Sequence, residues 1–100
     1  LAIRIPASVG RKAEITRLIA LYQKDNKRTQ LTWDDQLSVA EYQVYRAIKG
    51  QPLIFWQTVN PPQKGLYDTD VEAGNEYEYA VMATLQSGTY SAMKRITIKL

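Results

Sequence analysis

Between Val71 and Ala83 the chain alternates with a period of two. A short turn, Ala73-Gly74-Asn75, is followed by Tyr77, Tyr79, Val81 and Ala83 at every second position, with Glu76, Glu78, Ala80 and Met82 between them. Residues two apart share a face of an extended strand, so this spacing predicts a strand with Tyr77, Tyr79, Val81 and Ala83 toward a core and the other four toward solvent. No helix can use that pattern.

The rest of the chain reads as shorter segments of the same kind. Leu1, Ile3 and Ile5 alternate with Ala2 and Arg4 before Pro6 ends the run. Residues 1–13 are therefore expected to be the end of a preceding domain with a linker, or an edge strand of this one. Ile15, Leu18, Ile19 and Tyr22 have helical spacing, but a strand with Leu18 and Ala20 inward agrees better with an otherwise all-β chain. After the polar turn Asp25-Asn26-Lys27-Arg28, Thr29, Leu31 and Trp33 share a face. From Val39 to Arg46, Tyr42 and Val44 point inward, with Arg46 continuing that face, while Glu41, Gln43 and Tyr45 point out. Leu53 to Val59 is an apolar run. The two prolines in Asn60-Pro61-Pro62-Gln63-Lys64-Gly65 exclude a central strand there. Leu66 to Thr69 is a short strand, Leu85 to Tyr90 a hairpin loop, and Ala92 to Leu100 closes the sheet. About seven short strands with no space for a βαβ unit predict an antiparallel sandwich.

Composition narrows the chemistry. One hundred residues suffice for one domain with a real core. There is no cysteine, so stability rests on packing, and no histidine, the commonest general base and transition-metal ligand. The net charge of +3 is uneven: residues 1–33 hold seven Lys/Arg against two acids, and Asp68, Asp70, Glu72, Glu76 and Glu78 form an acidic block. The basic third is not interleaved with stacking aromatics as a nucleic-acid groove requires, so no nucleic-acid partner is expected. No apolar run approaches the length of a membrane span, so no membrane insertion is expected either.

Four motifs in order give the chain a family likeness. They are Leu31-x-Trp33; Tyr42-x-Val44-Tyr45-Arg46; the stretch Tyr67-Asp68-Thr69-Asp70; and Val71, the small turn, then Tyr77-x-Tyr79-x-Val81-x-Ala83. Over residues 14–100 the chain resembles a fibronectin type III domain, in the form found in bacterial multidomain proteins. The resemblance implies an all-β, immunoglobulin-like, seven-stranded antiparallel β-sandwich. It implies a structural core of Trp33, Tyr42, Val44, Tyr77, Tyr79 and Val81, with Tyr77 as the corner tyrosine whose hydroxyl bonds backbone a few residues upstream. Ala73 stands where the family often has proline. The loop Gln86-Ser87-Gly88-Thr89 lacks the Arg-Gly-Asp tripeptide of adhesive members.

That likeness implies a non-catalytic spacer or interaction module, not an enzyme, cut from a larger secreted or surface protein whose neighbouring domains are its partners. The alternative is a carbohydrate- or polymer-binding module. Its candidate contacts are the aromatics Tyr45, Trp56 and Tyr90, with Phe55 beside them, since exposed rings stack on sugars or anchor protein partners. The carboxylate pairs Asp34/Asp35 and Asp68/Asp70 sit in or beside turns, where aspartate bonds its own backbone. Without histidine or cysteine they complete no nucleophile–base set. Asp68, Asp70, Glu72 and Gly74 match a calcium loop poorly in spacing and context, so neither a metal nor another cofactor is expected.

Overall fold

The computed structural model describes residues 13–100. The reading of residues 1–13 as a linker or preceding strand lies outside them except for Ala13, whose carbonyl accepts a hydrogen bond from the Ala92 N–H at 2.7 Å.

Seven strands follow in order: β1 (Ile15–Gln23), β2 (Arg28–Asp35), β3 (Val39–Ile48), β4 (Ile54–Val59), β5 (Gly65–Asp68), β6 (Glu76–Leu85) and β7 (Lys94–Lys99). They form two antiparallel sheets, one ordered β1-β2-β5 and the other β4-β3-β6-β7. β6 lies in the middle of the larger sheet because it has the longest uninterrupted alternation and can pair on both sides. Tyr79 sits opposite Arg46 of β3 and Ile96 of β7, and Val81 opposite Val44 and Lys94.

The core lies between the sheets. Ile15, Leu18, Leu31 and Trp33 from the smaller sheet meet Tyr42, Val44, Tyr77, Tyr79, Val81 and Ala83 from the larger. Trp33 is 3% exposed and packs edge-on against Tyr42, ring centroids 5.2 Å apart at 66°, the arrangement aromatic quadrupoles favour.

Two departures from simple alternation have local causes. In β1, Ile15 and Leu18 are both buried although three residues apart. The pairing slips between Ile15 and Arg17, so one extra residue is taken up by a bulge. That bulge produces the helix-like spacing in the sequence, and it leaves Ile19 and Leu21 exposed on the outer face. In β6, Ala80 lies on the outer face as its parity requires, yet it is fully buried. Its cross-strand neighbours there are Tyr45 and Arg95, side chains long enough to cover an alanine.

The turn before β6 closes against the end of the chain. Gly74 adopts φ 93°, a left-handed conformation that glycine reaches without steric cost. Its N–H donates to the Leu100 carbonyl and the Leu100 N–H donates to the Asn75 carbonyl, both at 2.9 Å.

Candidate functional site

Two buried carboxylates join the sheets. Asp68, at the inward end of β5, is 2% exposed. Its Oδ2 accepts from Arg46 Nε and from the Tyr79 hydroxyl, each at 2.5 Å, and its Oδ1 accepts from the Asp70 N–H at 3.0 Å. Arg46 also donates through Nη2 to the Asp70 carbonyl, and its guanidinium lies 5.1 Å from the ring centroid of Tyr77 and 5.8 Å from that of Trp56. Burial opposes the charge on Arg46, but the hydrogen bond and charge of Asp68 outweigh it and raise its pKa.

Asp35, at the end of β2, is the counterpart. The Tyr42 hydroxyl donates to it at 2.5 Å, the Leu37 N–H at 2.9 Å, and Lys64 Nζ lies 3.8 Å away. Burial and then the adjacent carboxylate push the phenols of Tyr42 and Tyr79 far above their ordinary value. The turn role read for these aspartates is therefore incomplete. Each does bond the backbone two residues on, but each also accepts a tyrosine hydroxyl from the opposite sheet. The sequence carries the signal: Asp68 has the parity of Leu66, which packs against the core, and Arg46 falls on the inward face of β3.

Tyr77 is 2% exposed. Its hydroxyl accepts from the Glu72 N–H at 2.9 Å and from Asn75 Nδ2 at 3.3 Å, which fixes the chain entering β6. The acidic stretch Asp68–Gly74 is thus spent on a corner. Among the described residues no group of three or more Asp or Glu side chains is placed to hold a metal ion.

The three candidate ligand aromatics do not meet. Tyr45 lies on the outer face of the larger sheet, opposite Ala80. Tyr90 is on that face too, but opposite Thr84, four residues further along β6. Trp56 corrects the surface assignment: it is partly buried, packs against the core and lies 6.1 Å from Tyr79. A shift in pairing between Val44 and Tyr45 causes this, because it sets Phe55 rather than Trp56 opposite Tyr45. Phe55 is accordingly the exposed ring, edge-on to Tyr45 at 5.9 Å.

A hollow that the sequence did not reveal opens on the outer face of the smaller sheet beside β5. Its volume is about 300 Å³, and residues 30–32 and 63–67, Leu31 and Leu66 among them, line it. At Gly65 the backbone runs so close to β2 that a Cβ would come within 2.7 Å of the Leu31 carbonyl oxygen. Arg28 covers one face of the Tyr67 ring, its guanidinium carbon 3.8 Å from the centroid.

No protein-family model and no curated protein matches the chain. Solved structures do. A Fn3-like protein from Clostridium thermocellum is 26% identical with a TM-score of 0.72, over 88% of this chain and 92% of that one. Pectate lyase PelI from Erwinia chrysanthemi, solved in complex with tetragalacturonic acid, is 21% identical with a TM-score of 0.72, over 84% of this chain but only 28% of the lyase. A myokine structure is 21% identical with a TM-score of 0.72, over 88% and 96% of the two chains. Strand order, the corner tyrosine and these neighbours agree that the fold is that of a fibronectin type III domain. Among the neighbours it occurs both as nearly a whole chain and as a minor part of a carbohydrate-active enzyme.

Proposed function

We propose that this chain is a non-catalytic module of a larger bacterial protein, secreted or at the cell surface, holding neighbouring domains at a set distance and orientation. The observation that carries this reading is the use made of the buried acids. Asp35 and Asp68 accept hydrogen bonds from the opposite sheet and from backbone, so the groups best suited to acid–base work are committed to rigidity. The pectate lyase, in which a matching domain accompanies a much longer chain, supports a carbohydrate-active protein as the setting.

The test is an assay of the 100-residue chain for release of reducing ends from a panel of polysaccharides and for peptide cleavage. No turnover above a blank is expected. Hydrolysis that co-purifies with the folded domain and disappears on its unfolding would overturn the reading.

A further inference from the structure

We infer that the free edge of β4 is a self-recognition surface. On it a second copy of this chain adds its own β4, antiparallel, across a two-fold axis between Trp56 and Gln57. The two larger sheets then join into one across a weak symmetric dimer. This goes beyond the spacer reading and does not rest on it.

The sheet edges differ in how they are protected. β1, β5, β4 and β7 end the two sheets, and an unpaired edge invites another strand unless charge, a bulge or shortness deters it. β7 carries Lys94, Arg95 and Lys99, β5 has four residues, and β1 carries Arg17 at its bulge. β4 has six residues, roughly 20 Å of strand, with no charge and no proline. The uncharged run extends from residue 50 to residue 63. Ile54 is 65% exposed and Phe55 54%. Among the described residues β4 pairs with β3 alone.

β4 does have a bulge, and the bulge selects the partner. Ile54 lies opposite Arg46, Gln57 opposite Val44 and Val59 opposite Tyr42, all on the inward face of β3, and Trp56 packs against the core. Phe55 and Thr58 lie opposite Tyr45 and Gln43 on the outer face. Along β4 the order is therefore in, out, in, in, out, in, which is the same from either end. Residues directly opposite in an antiparallel pair share a face of the sheet. A strictly alternating strand matches one half of β4 and mismatches the other. A second β4 matches throughout: Ile54 meets Val59, Phe55 meets Thr58 and Trp56 meets Gln57. A slip of one residue breaks the match. Such a contact is isologous and closes after two copies. Charge does not oppose it, although each copy has a net charge of +3. The cations nearest β4 in sequence, Lys49 and Lys64, each sit by an acid of their own chain, Glu76 at 3.2 Å and Asp35 at 3.8 Å. Six residues a side make a small interface, so the dimer is weak, with a dissociation constant on the order of 0.1–1 mM.

The experiment is sedimentation equilibrium of the 100-residue chain from about 10 µM to about 1 mM, with amide chemical shifts of the isotopically labelled chain over the same dilution series. The weight-average mass is expected to rise from 11.4 kDa toward twice that value, with the shifts concentrated in residues 54–59. Thr58→Lys, at an exposed position of β4, should keep the melting temperature and weaken association at least about tenfold. Leu21→Lys, also exposed but on the other sheet, should leave association as it was. The alternating heptapeptide Lys-Thr-Val-Thr-Val-Thr-Lys should not move residues 54–59. A chain that stays monomeric at the highest concentration, concentration-dependent shifts away from β4, undiminished association in Thr58→Lys, or binding of the alternating peptide at β4 would overturn the assignment. Each of those results leaves the spacer reading standing, since that reading fails on hydrolysis alone.

Discussion

At the scale of single residues, the tyrosines do more than fill space. Tyr42 and Tyr79 each cross the core to a carboxylate of the other sheet, and their raised pKa values make stability sensitive to alkali. Below about pH 10, the ordinary phenol value, both are protonated whether the chain is folded or not, and their contribution is complete. Above it the unfolded chain gives up these protons while the folded chain keeps them. Stability should then fall with rising pH, by up to about 1.4 kcal/mol per pH unit for each tyrosine. Urea midpoints measured above pH 10 check this, and Tyr79→Phe should make the decline shallower. Tyr77 works through one hydroxyl that organises the corner before β6. Tyr77→Phe should cost about 1 kcal/mol in urea unfolding at neutral pH, with the ring's packing retained.

At the scale of elements, the bulge in β1 decides which apolar residues are inside. Leu18 is 9% exposed and Ile19 39%, although adjacent residues on an amphipathic helix would share its buried stripe. Leu18→Ala should therefore cost about 2–3 kcal/mol, and Ile19→Thr should stay within about 0.5 kcal/mol, both by thermal or urea unfolding. Similar losses at both positions would point to a helix instead. Strands without interruption, such as β6, were legible in the sequence because period two maps directly onto burial. Where a bulge inserts a residue, parity is lost: the inward placement of Leu18 and Ala20 holds, but it does not extend to Ile15 in β1, and in β4 Phe55 rather than Trp56 is the exposed ring. The hollow beside β5 escaped for another reason. Its walls come from two stretches about thirty residues apart in sequence, and Gly65, read only as the end of a loop, acquires meaning when its strand is laid against Leu31 and Thr32.

At the scale of the whole molecule, a chain with no cysteine fastens its sheets by packing and, among the described residues, by the polar links of Asp35 with Tyr42 and of Asp68 with Arg46 and Tyr79. The positions of these groups could be read from parity, but the links could not, because aspartate beside a turn already has a sufficient local explanation. A module that sets the spacing of its neighbours has to resist deformation, and such links suit that task. A buried ion pair is weak evidence of net stability, yet removing one partner leaves the other charged and unpaired in the interior. The most direct measurement is urea unfolding at neutral pH of Asp68→Asn beside the unaltered chain. A loss of about 3 kcal/mol, in a single cooperative transition with the slope on denaturant unchanged, is predicted. A variant as stable as the original would contradict the account of Asp68 as a structural link between the sheets.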